Sequence, residues 1–242
     1  MIWAAILVIG IAAGTLGGIV GFGASVMLMP ILVLGFGAKE AVQIMAIAGI
    51  IANVSRVVVW WRDVDVRLNV VYCATALPAA YFGARTLLAL DTRMVETILG
   101  VFFIVMIPVR RWLLAKGFKV GLPHLAVVGA GIGFLTGIVA STGPLNTPFF
   151  LAYGLTKGAF LGTEALGSAL IGITKAITFR SFGSLPVETI SKGCAVGASL
   201  WIGSWIAKRL VERMDASQFR FVIDAMMALA GLTLLYGALT AA

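Results

Sequence analysis

The sequence predicts an all-α, polytopic membrane protein built from two inverted repeats, each opening on a helix hairpin that is broken or re-entrant. Three observations predict it. Hydrophobic residues make up 61% of the chain and charged residues 12%, against about 45–50% and about 25% in soluble domains. Apolar runs recur from end to end, at 1–36, 41–61, 68–90, 94–109, 122–156, 158–179, 193–207 and 219–240, and several reach the ~20 residues a helix needs to cross hydrocarbon. Finally, one glycine-broken passage containing proline is written twice, as GIVGFGASVMLMPILVLGFGAKEA over Gly18–Ala41 and as GIVASTGPLNTPFFLAYGLTKGAF over Gly137–Phe160.

The first run opens MIWAAILVIG, without a basic n-region or an A-x-A cleavage site, so it reads as a retained span rather than a removed leader. Its length is awkward. Residues 1–36 rise only ~1.5 Å each, too much for one crossing and too little for two. A break at Gly21–Gly23 with a short second arm resolves this. Runs 41–61, 68–90 and 94–109 complete a first repeat over 1–116. The linker 117–121 continues a basic stretch carrying Arg110, Arg111, Lys116 and Lys119. The second repeat, 122–242, starts with run 122–156, broken at Ser141–Gly143, and continues through 158–179, 193–207 and 219–240.

The register of the duplication is set by Pro30 on Pro148, Lys39 on Lys157, Ala41 on Ala159 and Gly49 on Gly167. One residue of slippage upstream aligns Gly10, Gly14 and Gly18 with Gly129, Gly133 and Gly137. These two small-residue ladders suit close helix packing and are expected to bring the repeats together. Downstream, Gly83-Ala84 falls near Gly203-Ser204.

A broken hairpin gives each repeat an odd number of traverses, which inverts the second. With the linker 110–119 in the cytoplasm, Arg56, Arg62, Arg67, Lys157, Lys208, Arg209, Arg213 and Arg220 join its four cations inside. Of the 18 Lys and Arg, twelve then lie inside and six outside, as the positive-inside rule requires. Both termini are expected to be periplasmic.

Inverted repeats with interrupted helices place substrate sites near mid-membrane, at inward-pointing half-helix N-termini. Unpaired N–H groups and the positive helix end stabilise an anion there. The second arms begin at Gly23-Ala24-Ser25 and at Ser141-Thr142-Gly143-Pro144. Ser and Thr can cap or donate hydroxyls, Pro144 suits a first turn, and Asn146 and Thr147 add donors. Ionisable groups inside spans are costly and usually face a cavity. Arg56, with Asn53 just before it, and Lys175 are therefore candidate anion ligands, one from each repeat; snorkelling is the competing reading. Glu164 reads either as a proton-coupling carboxylate or as an interface residue, and Gln43 in the sister span as a path-lining group. Asp224 reads as a packing group and His124, beside Pro123, as interfacial.

Other function classes find little support. The net charge of +8 follows from cytoplasmic loops, and no basic tail or RNA-binding signature points to nucleic acid. Cys73 and Cys194 sit in apolar runs and read as core residues. One histidine, with no H-E-x-x-H and no G-x-S-x-G, argues against an enzyme or a metal centre. No cofactor is expected. The partners expected are a small anionic substrate and the lipid bilayer; a homodimer is considered, though no residue pattern specifies it.

The spacing of Gly18, Gly21, Gly23 and Pro30, followed by "GAKEA", and of Gly137 and Pro148, followed by "GLTKGA", resembles the sulfite exporter TauE/SafE family. The likeness covers essentially the whole chain. In the second copy Ser141, Thr142, Gly143 and Pro144 replace the usual glycine cluster. The resemblance implies a secondary transporter exporting a sulfur-containing anion, sulfite or an organosulfonate, across the bacterial inner membrane. An anion channel of the same fold is the alternative.

Overall fold

The structure, a computed structural model, describes residues 2–36, 38–87, 108, 120–138, 143–183, 185–215 and isolated positions between 217 and 232. Among these, every regular element is helical. The helices are α1 (Ile2–Val20), α2 (Gly23–Phe36), α3 (Ala38–Val59), α4 (Val66–Leu87), α5 (Leu122–Ile138), α6 (Gly143–Tyr153), α7 (Lys157–Ser181) and α8 (Val187–Arg213), with a 3₁₀ turn at Trp61–Asp63.

The expected break in the first run is present. Gly21 adopts φ +96°, a conformation that glycine takes without a Cβ penalty, and its N–H closes α1 on Gly17 O at 2.8 Å. The chain turns through Phe22 and re-enters a helix at Gly23, and α2 packs back on α1. In the second copy α6 begins at Gly143, and residues 139–142, including Ser141 and Thr142, lie outside the described residues. So does the run 94–109, apart from Pro108. The run 193–207 is part of a longer helix, α8, which starts six residues earlier at Val187.

The helices pair reciprocally across the chain. α1 rests on α8 and α5 rests on α4, while α3 packs on both α7 and α8, and α4 on α7. The ladder Gly10, Gly14 and Gly18 therefore seats α1 on α8, and the ladder Gly129, Gly133 and Gly137 seats α5 on α4. A Cβ on Gly14 would stand 2.6 Å from Leu200 O, and one on Gly203 would stand 2.4 Å from Ile11 O. In the sister pair, a Cβ on Gly133 would stand 2.4 Å from Ala76 O, and one on Gly83 would stand 2.0 Å from Phe134 O. Nothing but hydrogen fits at such distances. Among the described residues a smaller apolar cluster lies at Ala84, Phe179 and Leu185, and the larger clusters are two. One gathers Tyr72, Phe150, Phe160 and Leu161, with Phe150 edge-on to Tyr72; the other gathers Ile6, Leu28, Leu32, Ile44 and Leu200.

The outward faces are apolar as well. Val8, Val70, Val127 and Ile177 are each more than half exposed on α1, α4, α5 and α7, a surface suited to hydrocarbon rather than to water. Among the described helices, α7 is long and apolar enough to cross a membrane by itself; Ile6–Val20, Gln43–Val59 and Leu122–Ile138 are apolar but shorter.

The ladder contacts set a stability expectation. Gly133→Ala meets backbone on α4, so the two helices must separate, at the 1–3 kcal/mol typical of overpacking. Gly131→Ala, two residues away with nothing within 4 Å, is the control and should melt no lower than the parent. Thermal denaturation in detergent distinguishes them, and equal melting of the two variants would show that the α4–α5 contact is loose.

Candidate functional site

A cavity of about 70 Å³ lies where α1, α2, α3, α7 and α8 meet, room for a few water-sized bodies. Its polar lining comes from Asn53 and Arg56 on α3, Glu164, Ser168 and Lys175 on α7, and Ser204 on α8. The small residues Gly14, Gly17, Gly21 and Ala24 form the wall on the side of the first helix break.

Arg56 and Glu164, 5% and 0% exposed, form a buried ion pair: Arg56 Nη1 donates to Glu164 Oε2 at 2.8 Å. Arg56 Nη2 donates to Asn53 Oδ1, one turn earlier on α3. Ser168 Oγ, one turn after Glu164 on α7, donates to Oε1 at 2.5 Å. Both carboxylate oxygens are thus engaged, which offsets part of the desolvation that burying two charges entails. Gly21 touches the same pair. A Cβ there would lie 3.3 Å from Arg56 Nη1 and 3.5 Å from Glu164 Oε2, so the turn between α1 and α2 brings bare backbone against the charges.

Lys175, 3% exposed, lies three turns beyond Glu164, roughly 16 Å along the helix axis. Its Nζ is 6.0 Å from the centre of the Phe179 ring. The cavity is therefore elongated along α7. Of its described lining residues, Arg56 and Lys175 are cationic and Glu164 is anionic, two minus one, leaving one positive charge.

The structure gathers some of the expected site residues and separates others. Ala24, Asn53, Arg56, Glu164 and Lys175 share the cavity, and Gly21, expected only as the helix break, lines it as well. Gly23 opens α2 beside it, and Ser25 sits in the first turn of α2, its side chain outside the described set. Gln43, half-buried near the start of α3, is not among the lining residues. Asn146 and Thr147 are buried on α6 away from this lining. Asn146 Oδ1 accepts the Tyr72 hydroxyl at 2.5 Å, and its Nδ2 finds no hydrogen-bond partner among the described residues. Gly143 opens α6. The contributions of Ser168, Ser204 and Tyr72 were not expected from sequence. Ser168 alone has a local signal, its place one helical turn from Glu164.

The remaining polar groups have local roles. His124 Nδ1 accepts the Gly121 N–H at 3.1 Å at the start of α5. Asp215, just past α8, accepts the N–H groups of Ser217 and Gln218; the Gln218 and Ser217 hydrogen bonds hold its carboxyl below the usual range. Cys73 is buried, as a core residue is expected to be, whereas Cys194 is exposed on α8 and not in the core; both are free thiols.

A family profile described as sulfite exporter TauE/SafE matches residues 6–234. The chain matches no curated protein and no solved structure. A match over nearly the whole length, on an all-helical chain with apolar outer faces, settles the assignment: the protein belongs to the sulfite exporter TauE/SafE family of membrane transporters for sulfur-containing anions.

Proposed function

We propose that the protein is a secondary transporter that exports sulfite, or a small organosulfonate, from the bacterial cytoplasm by alternating access. The observation that carries this reading is the polar cavity between α3 and α7, walled by the Gly21 break and holding Arg56, Glu164 and Lys175. A site for a small anion needs fixed donors and a surplus of positive charge in a water-poor space, and this lining supplies both. The reciprocal packing of α1 on α8 and of α5 on α4 supports two related units, 1–116 and 122–242, joined by the linker 117–121. In this reading they are inverted, with the linker cytoplasmic and the termini periplasmic, and rock about the α3–α7 contact.

No ATP is required. A negative-inside potential favours the exit of an anion by about 2.3 kcal/mol per charge per 100 mV, roughly fifty-fold in equilibrium ratio. The test is counterflow. Liposomes holding the purified protein are loaded with unlabelled sulfite and diluted into a trace of radiolabelled sulfite. A carrier exchanges the two, so label accumulates transiently and saturably above the level in protein-free liposomes. With the membrane potential clamped at zero by valinomycin and equal potassium, a channel of the same fold dissipates the gradient without this overshoot. No uptake above protein-free liposomes would sink the sulfite assignment.

A further inference from the structure

Glu164 occupies the place on Arg56 that a bound oxyanion would take. Its Oε2 receives Nη1 at 2.8 Å, inside the cavity and against the Gly21 turn. A carboxylate and a sulfur oxyanion present the same kind of oxygen edge to a guanidinium. We infer that Glu164 is a built-in stand-in for the substrate: the incoming anion displaces its carboxylate from Arg56, and the displaced carboxylate takes up a proton, so each anion moves together with one proton. This rests on the reading of the cavity as the anion path and specifies how that path is coupled.

The charges favour this outcome. An ionised Glu164 beside a bound anion would set two negative groups against each other in a poorly solvated site, and one of them must then be neutralised. The neighbours of Glu164 show which one. From α3 it faces Arg56, and along its own helix Ser168 and, further on, Lys175. From α4 the titratable neighbour is Tyr72. The lining residues of α1, of the turn at Gly21 and Phe22, of α2 and of α8 carry no charge. A bound anion removes Arg56 from Glu164 and leaves Ser168 as its hydrogen-bonding neighbour, which a carboxylic acid accommodates as readily as a carboxylate.

The proton enters from the solution to which the cavity is open and resides on Oε2. It returns to solution when the anion departs and Oε2 re-forms its contact with Arg56; only an O–H bond forms and breaks. Because the proton and the anion strengthen each other's binding, the coupling is symport by linkage. A sulfite dianion with one proton still carries a net negative charge and is driven outward by the membrane potential, whereas a sulfonate monoanion with one proton is neutral and leaves down its own concentration gradient.

The experiment is calorimetric titration of the full-length protein with sulfite, run in buffers of differing ionisation enthalpy to count protons. The parent is expected to take up one proton more per sulfite than Glu164→Gln, which keeps the shape of the protonated acid and cannot titrate. A second measurement needs no variant: binding of 2-hydroxyethanesulfonate, whose charge does not change across the neutral range, should weaken about tenfold per pH unit once free Glu164 is ionised. Equal proton counts in parent and variant overturn the inference, as does a flat pH profile for the sulfonate. Sulfite binding by the parent without the extra proton defeats the coupling and leaves the anion path standing; no sulfite binding at all defeats both.

Discussion

Glu164→Ala is expected to be the most destabilising single substitution in the described part of the protein, costing about 3–5 kcal/mol. The side chain is fully buried and holds Arg56 through Oε2 and Ser168 through Oε1. Truncation leaves a guanidinium that is 5% exposed with Asn53 as its remaining hydrogen-bond acceptor among the described residues, and it removes the contact of the Ser168 hydroxyl with Oε1. The damage lies in the orphaned charge rather than in the lost attraction, which sets up a sharper comparison. The double variant Arg56→Met/Glu164→Leu removes both charges and refills the volume. It should recover at least half of the lost melting temperature, because an apolar pair of similar size is often neutral or better. Melting in detergent, followed by tryptophan fluorescence, measures single and double variants alike. If the double variant loses the sum of the single losses, the two side chains are energetically independent and the pair does not hold α3 to α7.

This pair also explains how a weak point in the backbone can matter for transport. A turn at φ +96° between two apolar helices is a natural hinge, and here it rests directly on a charge contact between α3 and α7. In the proposed carrier, a rearrangement of Arg56 would shift the wall made by α1 and α2, which would tie recognition of the anion and opening of the cavity to the same few atoms.

Much of the architecture is legible in the sequence because it is local. Apolar runs name the helices, and the glycines at positions 21 and 23 name the first break, since a chain can reverse there without steric cost. The ladders at Gly10, Gly14 and Gly18 and at Gly129, Gly133 and Gly137 announce close packing, although their partners on α8 and α4 emerge only in three dimensions. Arg56 and Lys175 stand out because charge inside a span is expensive. The contact of Arg56 with Glu164 is not legible, since the two are 108 residues apart and the duplication pairs Glu164 with Ala46, a residue with no charge to suggest it. Asn146 and Thr147 were grouped with the second break by proximity in sequence. Helical rotation instead turns Asn146 toward Tyr72, an aromatic that reads as ordinary core within the run 68–90.

Lys175→Ala should abolish most transport while leaving the protein folded, and that combination separates an anion ligand from a structural lysine. Lys175 lines the cavity as a second cation beside Arg56, which is engaged by Glu164 in this state. Charge-assisted hydrogen bonds contribute about 1.5–3 kcal/mol, so losing one to the transported anion should slow saturable sulfite efflux from proteoliposomes by roughly ten- to a hundred-fold. Stability should move less than in Glu164→Ala, which breaks the buried ion pair with Arg56. Lys175→Arg, which keeps the charge on a different fork, should fall between parent and alanine in flux. Efflux at the parental rate in Lys175→Ala would remove this residue from the path. A matching collapse of melting temperature and flux would instead assign it to the packing of α7.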